Sequence, residues 1–540
     1  MFQTSRAYVC RNKTLVAACA VLAAGGWQSA RAAILCVSQT GASGCQTTIS
    51  AAVASAAPGD TIQVGAGTYK ETVTITQSQS LIGAGSSTTI IDATNLPNGI
   101  VVNNSAGAIS GVVITGFTVQ NANFQGIVVE NASAVTIWNN QVLNNNKSLN
   151  ITTNPPSCPG LPAALQAGEG FDCGEGVHLT GVDHSVVSNN VIQNNAGGIL
   201  ISDDMGATHD NVIIANVVSN NPYDCGITIA SHSGKGVYHN TITGNTAMNN
   251  GNKLPGAGAG VGIFAPGPGS KAYGNVVVNN TLKGNGLPGV AIHNHAAFAS
   301  APPIDLDDNV IVGNIISSNG ADTEDTATPG SAGINIASVG PINGIVVSQN
   351  VISQESDGLV FNGHGQVQAS LNNFMAPSGV VNLGGGAINA TQNWWGCATG
   401  ANTGGCGLAT GANVTTSAWL TAPFNSTQLP SPVVPPPPGG GASAITIVVT
   451  ALNGLTAGTN SFVVTNSQIT LSASQSTSSN AGALSFAWTP VQGYPIPGIN
   501  GGNTSTPILQ LLSPGTYQLL LTVTDATGAQ ATATVTIQYV

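Results

Sequence analysis

The chain has 540 residues, of which 10 are Lys or Arg and 21 are Asp or Glu, so its formal net charge at pH 7 is −11. Charged residues make up only 6% of the sequence, whereas Gly alone contributes 69 residues. Proteins that bind nucleic acid or anionic membranes need Lys and Arg to neutralise phosphates, so this composition argues against both kinds of partner.

The N-terminus has the pattern of a secretory signal peptide. Arg6, Arg11 and Lys13 precede an apolar run, and the small residues of "SARAA" follow it. We therefore predict a signal peptide at 1–32, and a protein that is secreted, periplasmic or held at the cell surface. The run is shorter than the ~18 apolar residues of a membrane-spanning helix, so no span is predicted. The chain after Ala32 has six lysines, no arginine and 21 acidic residues.

Seven cysteines follow the predicted signal peptide. Six of them form pairs that are close in sequence, namely Cys36 with Cys45, Cys158 with Cys173, and Cys397 with Cys406. In an exported chain this spacing predicts three local disulfides. Cys225 is left over and is expected to be a buried, inert thiol.

A Pro/Gly-rich segment divides the chain. The sequence "SPVVPPPPGGGAS" lies in a predicted linker at 429–443. The region at 33–428 is too long for one ordinary globular core, which favours an elongated repeat array. The region at 444–540 has alternating β pattern.

The long region contains a repeat of Gly followed by alternating apolar residues. From Gly176 onward the repeats start at intervals of 22 to 44 residues, and each is followed by a second strand pattern and an Asn. Period-two apolar residues predict strands with one face inward, and variable spacing predicts loops inserted in each turn of a solenoid. The repeat begins at Gly126, Gly176, Gly198, Gly226, Gly260, Gly289, Gly333 and Gly358.

Two further segments support a family resemblance. "AAPGDTIQVGAGTYKETVTI" at 56–75, preceded by the helical pattern "TTISAAVASAA", is similar to the capped N-terminal turn of the right-handed parallel β-helix superfamily. "QNWWG" at 392–396 resembles a sequence near its C-terminal end. That superfamily includes pectate lyases, mannuronan epimerases and a periplasmic copper-accessory family. The resemblance implies an all-β fold, a right-handed parallel β-helix solenoid with an N-terminal capping helix, followed by a small β-sandwich.

The C-terminal region resembles PKD-like, immunoglobulin-like modules. It contains "LSFAWTPV" and "PGTYQLLLTVTDATGAQATATVTI", with Trp488 and Tyr517 as expected core residues. Asp525 is its only acidic residue. A β-sandwich of this size is expected to be a spacer or a binding accessory, without chemistry of its own.

An Asn recurs at one equivalent turn position of the solenoid. Because turns select Asn for its own hydrogen bonds and backbone freedom, we expect an internal structural ladder of side-chain amides. Its members are Asn190, Asn216, Asn245, Asn280, Asn314 and Asn350.

Acidic, His and Tyr side chains converge on the turn between the first and second strands of neighbouring coils. Residues at equal offsets stack about 4.8 Å apart, so these groups are predicted to line one strip. Counting back from the Asn ladder leaves open whether Asp183 or His184 shares a column with Asp210, His239 and Asp308. His178 is expected on the outward face of its strand.

Asp, His and Tyr in one cleft are the groups that proton transfer on a sugar requires. The predicted catalytic candidates are Asp203, Asp204, His209, Asp210, His232, Tyr238, His239, His293 and His295, with Tyr273 as a further proton donor. Carboxylates also bind divalent cations, so Ca²⁺ is a candidate cofactor. Its predicted ligands are Asp203, Asp204, Asp305, Asp307 and Asp308. The segment "ADTEDTATPG" at 321–330 is expected to be a solvated surface loop.

The first functional hypothesis is a polysaccharide lyase or epimerase acting in a groove along the first strands. His232 or His295 would be base or acid, and Tyr238 or Tyr273 a proton donor. The resemblance is incomplete, because pectate lyases commonly use arginine, which the mature chain lacks, and the Asp-Pro-His-Asp motif of mannuronan epimerases is absent.

Three alternatives stay open. A glycosidase could pair Asp203 or Asp204 with Asp224 or Glu175 on neighbouring coils. A non-catalytic surface or adhesive protein could bind a polysaccharide or cell-surface glycan through the acidic strip. Metal delivery is less favoured, since the few methionines lack ligand spacing. In each case a monomer is expected.

Overall fold

The computed structural model describes most of the chain. The described residues are 32–103, 107, 109–153, 156–161, 173–254, 257–294, 303–323, 327–424 and 445–539, the last range with gaps at 452–454, 459, 465–467, 480–483, 492–496, 503, 512–514 and 526–529. The predicted signal peptide apart from Ala32, the linker at 429–443 and His295 lie outside them.

The region from 34 to 415 is a solenoid whose coils each contribute strands to three parallel faces. Face 1 contains Val73–Ile75, Ile100–Val102, Ile127–Ser133, Val177–Asp183, Ile199–Ser202, Ile227–Ala230, Val261–Phe264, Val290–His293, Ala332–Ser348, Asp357–Ser370, Ser378–Asn382 and Leu408–Thr410. Short strands extend it at Ile109–Ser110, Thr208–His209 and Val237–Tyr238.

Face 2 continues the same sheet after a corner. Its strands are Ile34–Val37, Thr61–Val64, Ser80–Gly83, Val113–Thr115, Thr136–Trp138, Val186–Ser188, Val212–Ile214, Thr241–Thr243, Val276–Val278, Val310–Val312, Ala387–Asn389 and Val414–Thr415. The strands Ala332–Ser348 and Asp357–Ser370 run through the corner and belong to both faces.

Face 3 is a separate sheet of 11 strands. They are Gly67–Tyr69, Thr89–Asp92, Thr118–Gln120, Gln141–Leu143, Val191–Gln193, Val217–Ser219, Thr246–Met248, Thr281–Lys283, Ile315–Ser317, Val351–Ser353 and Asn373–Phe374. Every strand pair in the three faces is parallel, as short crossovers around a single core require.

The core is one continuous apolar column along the solenoid. Alternate residues such as Ile199, Ile201 and Ile213 point inward and are fully buried. The period-two pattern of the sequence therefore places one apolar side chain set inside each coil. The predicted fold class, a right-handed parallel β-helix, is confirmed.

The repeat glycines lie where neighbouring coils approach each other most closely. A Cβ atom added at Gly198 would lie 2.1 Å from the carbonyl oxygen of Gly226, and one at Gly126 would lie 2.6 Å from that of Gly176. The backbone contact between coils leaves no room for a side chain, which explains why Gly opens each repeat.

The predicted Asn ladder exists and has two companions. The first ladder consists of Asn140, Asn190, Asn216, Asn245, Asn280, Asn314, Asn350, Asn372 and Asn393. The second consists of Asn145, Asn195, Asn221, Asn250, Asn285, Asn319 and Glu355. The third consists of Asn211, Asn240, Asn275 and Asn309.

The predicted capping helix covers the N-terminal end of the core. Thr48 caps the N-terminus of the helix Ile49–Ser55, and its side chain accepts a hydrogen bond from the Ala51 amide. Glu71 accepts hydrogen bonds from the amides of the first turn, where a carboxylate is favoured. A short 3₁₀ helix, Ala42–Gly44, precedes it.

The three predicted disulfides are confirmed. Cys36 is bonded to Cys45, Cys158 to Cys173, and Cys397 to Cys406. Cys225 is free and buried, as expected, and burial raises the pKa of its thiol, with the negative charge of Asp224 adding to the effect.

The C-terminal region has its own core and sheets that are antiparallel except for the parallel pair of Ser461–Val464 with Gln530–Tyr539. Its strands are Ile445–Thr446, Thr450–Ala451, Leu455–Gly458, Ser461–Val464, Gln468–Ser472, Thr477–Ser478, Ser485–Pro490, Gly498–Asn500, Ile508–Gln510, Gly515–Thr524 and Gln530–Tyr539. Trp488 and Tyr517 are buried core residues, as predicted, and the Trp488 indole donates to the Thr504 carbonyl. Within the described part of the chain, no helix is long and apolar enough to cross a membrane.

Candidate functional site

Polar side chains collect at the corner between faces 1 and 2, as the sequence predicts. Register pairs Asp183 with His209 and His209 with Tyr238, while His184, Asp210 and His239 occupy the next position, each with positive φ. This resolves the ambiguity, because His184 shares the column of Asp210. We name these residues the corner strip: Asp183, His184, His209, Asp210, Tyr238, His239 and Tyr273.

The third Asn ladder holds the corner strip in place. Asn211 and Asn240 directly follow Asp210 and His239, and the Asn211 amide group donates to Asn240 Oδ1 at 2.9 Å. Because each Asn is buried and bonded to the next coil, the exposed residue before it has a fixed backbone. The strip is therefore presented by rigid backbone.

Aromatic rings stack along the strip. His209 lies 4.8 Å from Tyr238 between ring centroids, and Tyr238 lies 5.0 Å from Tyr273, with nearly parallel planes in both pairs. His239 meets Tyr238 edge to face at 5.1 Å. Burial raises the pKa of Tyr273, and the nearby charges of Tyr238 and Asp305 raise it further. Such stacking fixes the orientation of the rings.

Asp210 pairs with two imidazoles on successive coils. Its carboxylate lies 2.8 Å from His209 Nδ1 and 3.8 Å from His239 Nδ1. The side chains of Asp210 and His239 are 42% and 55% exposed, so this group is open to a polymer. At the next corner Asp183 lies 2.6 Å from His184. Burial would raise the pKa of Asp183, but the hydrogen bonds of His184 and Ser133 hold it below its usual value.

Two lysines stand on the face 1 side of the strip. Lys235 and Lys271 are exposed, and each precedes a strip tyrosine by a few residues. Lys235 Nζ donates to the Asp204 carbonyl at 2.9 Å, and Lys271 lies beside Gly236. These cations are notable because the chain after Ala32 has only six lysines.

Asp204 and His232, both predicted catalytic residues, lie in a buried network instead of an open groove. Asp204 accepts a hydrogen bond from Ser202 at 2.5 Å and lies 3.1 Å from His232 Nδ1. His178 lies 2.8 Å from the Ser202 hydroxyl. The His232 side chain is only 4% exposed, and the His178 side chain 1%. The Asp204 side chain is 8% exposed, so the three ionisable groups of this network are largely shielded from solvent.

Within this network, neighbouring charges and burial shift the pKa values in opposite directions. Burial alone would raise the pKa of Asp204, but the hydrogen bond and charge of His232, with His178 and Ser202, hold it below its usual value. Burial lowers the pKa of His178 to about 4, against a smaller opposing effect of Asp204. His178 does point outward from its strand, but it is covered rather than exposed.

The outward face of the first strands is covered more generally. Leu200, Ala230, Phe264 and Ala291 all point away from the core and form a second buried apolar cluster. The groove expected along face 1 is therefore absent from this part of the described solenoid, because these side chains are shielded from solvent.

Asp203 holds the next coil instead of facing solvent. It is fully buried, and its carboxylate accepts hydrogen bonds from the Ser231 hydroxyl and from the amides of Ser233 and Gly236 at 2.7–2.8 Å. Both oxygens are used, so the predicted roles in catalysis and in calcium binding do not fit this residue.

His293 and Asp322 form another buried pair. His293 Nε2 lies 3.6 Å from Asp322 Oδ2, and its ring packs on Phe264 at 4.8 Å. Asn335 also donates to Asp322. The expectation of a solvated loop is wrong for Asp322, because its side chain is only 2% exposed and hydrogen-bonded.

Two of the remaining predicted calcium ligands, Asp305 and Asp307, accept hydrogen bonds from backbone amides. Asp305 accepts from the Asp307 amide at 3.1 Å, and Asp307 accepts from the Asn343 amide at 2.8 Å. In the described ranges no three or more His, Cys, Asp or Glu side chains are arranged to hold a metal ion. The predicted ligand set therefore does not fit Ca²⁺, and no chemical step is derived through it.

Of the carboxylates considered for glycoside hydrolysis, Glu175 and Asp203 are fully buried, whereas Asp224 is half-buried. Glu175 is fully buried, and burial together with the charge of Asp224 raises its pKa well above the usual value. A buried carboxyl cannot reach a glycosidic oxygen of a polymer. Sequence reasoning missed Lys235 and Lys271, although their position beside the strip tyrosines could have indicated them.

Comparison with family models agrees with the two-part fold. Residues 41–260 match the model described as Periplasmic copper-binding protein (NosD), and residues 457–538 match a model described as a PKD domain. The chain is a parallel β-helix protein with a PKD-like domain. No curated protein matches this β-helix protein in sequence.

Solved structures with a similar fold are distant in sequence. An alginate lyase from Paenibacillus sp. is 14% identical, with 66% of this chain and 97% of that chain covered and a TM-score of 0.38. The Dettilon tailspike protein is 13% identical over 90% and 88% of the two chains, with a TM-score of 0.43. The A-module of a mannuronan C-5 epimerase from Azotobacter vinelandii is 14% identical over 65% and 91%, with a TM-score of 0.36. At such distances the chemistry has to be argued from this chain's own residues.

Proposed function

We propose that this protein is an exported polysaccharide-modifying enzyme, a lyase or epimerase that transfers protons at the corner strip. The observation that carries the proposal is the exposed group of Asp210, His209, His239 and Tyr238, in which one carboxylate orients two imidazoles beside a stacked phenol. The three disulfides support an oxidising compartment, in agreement with the signal-peptide pattern.

The strip offers a base and an acid on neighbouring coils. His209 or His239, held by Asp210, accepts the proton from the sugar carbon next to a carboxylate. In a lyase, Tyr238 donates its proton to the glycosidic oxygen as the carbon–oxygen bond breaks and a carbon–carbon double bond forms. In an epimerase, a solvent water returns a proton to the same carbon from the opposite side, because Tyr238 is stacked against His209 on the side of the base. Either reaction leaves the number of protons balanced.

The lysines supply the charge that such a substrate needs. A carboxylate beside the reacting carbon gains negative charge as the proton leaves. The Asp side chains of the corner strip alone would repel that charge. Lys235 and Lys271, exposed next to the strip tyrosines, neutralise that charge. This reasoning favours a uronic-acid polysaccharide over a neutral one.

Because His232 is buried, the proposed catalytic base lies in the corner strip instead. With its side chain 4% exposed and bonded to Asp204, it orients the coil below the strip. In this proposal His209 and His239 take the role of base that the sequence assigned to His232, and the role of His295, outside the described residues, stays a prediction.

A panel of uronic-acid and neutral polysaccharides tests the proposal, with unsaturated ends, epimer content and reducing ends as readouts. We expect His239→Ala to lose at least about 100-fold in kcat, as removal of a general base does. His364→Ala is the matched control, because His364 is exposed on a coil outside the strip. Activity equal to that of wild type in both His239→Ala and His209→Ala would refute the assignment. Assays with and without Ca²⁺ test the separate calcium prediction.

Binding without catalysis is the second candidate. The stacked His209, Tyr238 and Tyr273 rings favour it, since aromatic side chains pack against sugar rings. In that case wild type would bind a polysaccharide of the panel, lose that binding in Tyr238→Ala, and release no product.

A further inference from the structure

Face 2 presents an uncharged surface directly beside the corner strip. In the seven successive coils from Thr136–Trp138 to residues 346–348, the two outward positions of each face 2 strand carry only Val, Ile, Thr, Ser or Trp. Register keeps them in two straight columns. Nine of these fourteen residues are Val, Ile or Trp, and such a largely apolar, uncharged surface on a chain of net charge −11 indicates an interaction site.

We call face 2 of these seven coils the flat face. The two corners that border it differ in charge, and the side chains at one corner complement those at the other in size. One corner carries His184, Asp210, His239 and Asp308, whereas the opposite corner, five residues later, carries no charged residue. In six of the seven coils a bulky residue at one corner accompanies Gly or Ala at the other, as in Asp210 with Ala215 and His239 with Gly244. The corner pairs are 134/139, 184/189, 210/215, 239/244, 274/279, 308/313 and 344/349.

Symmetry decides how two such faces can meet. A two-fold axis parallel to the solenoid axis places the acidic corner of one copy over the neutral corner of the other, coil by coil. A two-fold axis perpendicular to the solenoid axis would place the two acidic corners against each other and repel them. Only the parallel arrangement also opposes a bulky corner residue to a small one in six of the seven coils.

The flat face is large enough for such a contact. Seven coils at ~4.8 Å and a corner-to-corner strand path of ~3.3 Å per residue give roughly 30 Å by 15 Å, to which the adjoining coils add length. The seven coils alone therefore cover about 450 Å², below the ≈800 Å² that a specific interface buries on each partner, so the adjoining face 2 strands have to take part in the contact.

We propose that two copies of this chain pair through the flat faces, with the two-fold axis parallel to the solenoids. The pairing is independent of the enzymatic proposal. Its consequence rests on that proposal: the neutral corner of the second copy forms the opposite wall of a groove along the corner strip. The strip alone is a convex edge, and small-residue positions such as Ala215 and Gly244 leave room there for a polysaccharide chain.

Sedimentation equilibrium of the purified full-length protein tests the pairing. We expect wild type to be a dimer, and Val276→Lys with Val310→Lys to be a monomer with unchanged circular dichroism, since each Lys charge would be buried against Val278 or Val312 of the other copy. Ile315→Lys is the matched control, because Ile315 is 55% exposed on face 3 and should leave the dimer intact. A monomeric wild type at its highest soluble concentration would overturn the proposal.

A cross-link tests the orientation. Ala134→Cys combined with Asn139→Cys should give a disulfide-linked dimer on oxidation, because these positions oppose each other only when the solenoids are parallel. Each single substitution should cross-link much less. A dimer without this cross-link would overturn the parallel arrangement. An inactive but dimeric wild type would refute only the enzymatic proposal.

Discussion

Asp210 shows how one side chain organises the corner strip. Its carboxylate orients imidazoles from its own coil and the next, while Asn211 fixes the backbone beneath it. Asp203, seven residues earlier, has the same chemical group but an entirely different surrounding. It is buried under the next coil and bonded to that coil. Position within the coil, not residue type, separates the chemical candidate from the structural one.

The sequence predicted which residues form the corner strip, but it did not predict which of the candidate side chains are exposed to solvent. Counting back from the Asn ladder correctly brought together His209, Tyr238 and Tyr273. They could not reveal that His178 and His232 are covered, because burial on the outward side of face 1 depends on tertiary packing that has no periodic signal in the sequence.

The buried His178 makes stability depend on pH. Its pKa falls from 6.5 to about 4 on folding, so the unfolded chain binds a proton that the folded chain refuses between these pH values. The contribution of His178 to the free energy of unfolding is therefore complete above pH 6.5. It should fall by about 3 kcal/mol on acidification to pH 4. Urea unfolding at several pH values measures this loss, and His178→Gln should flatten the dependence in that window. An unchanged slope in the variant would show that other groups cause the effect.

At the scale of elements, the Asn ladders replace side-chain packing at the turns. The first ladder was predicted from its recurring Asn, whereas the second and third were not. Their residues lie five positions after or before those of the first ladder, and Glu355 substitutes for Asn at one end of the second ladder. Strand alternation and repeat glycines sufficed for the fold because each coil repeats the same contacts.

Breaking a ladder should destabilise several coils together. Asn245 accepts hydrogen bonds from the Asn216 main-chain and side-chain amides and donates to Ile213 and Asn280. Asn245→Ala leaves buried partners unsatisfied, so we expect a loss of about 2–4 kcal/mol in unfolding free energy. Asn249→Gly is the control, because Asn249 is exposed with positive φ that Gly adopts readily. Hydrogen exchange of the neighbouring coils should quicken only in the first variant.

At the scale of the whole molecule, two separate apolar cores underlie the division into 33–428 and 444–540. The solenoid core ends before the predicted linker, and the C-terminal core is built from its own residues, including Trp488 and Tyr517. All titratable groups of the corner strip belong to the solenoid. The PKD-like domain is therefore expected to act as a spacer or binding accessory.

Separate expression tests this division of labour. We expect residues 33–428 to keep the full rate on a soluble polysaccharide, and residues 444–540 to fold cooperatively without activity. Trp488→Ala should unfold the isolated C-terminal domain, since truncating a buried Trp costs about 3–5 kcal/mol. Loss of activity on removal of 444–540, with the solenoid still folded, would contradict the assignment of chemistry to the strip alone.

The most direct measurement of the central claim is the kcat of Tyr238→Phe on the polysaccharide that wild type modifies. The variant keeps the stack between His209 and Tyr273 and removes only the hydroxyl that donates the proton. We predict a fall of about 100-fold in kcat with KM nearly unchanged, since the hydroxyl acts in the transition state. A kcat equal to that of wild type would contradict proton transfer at the corner strip.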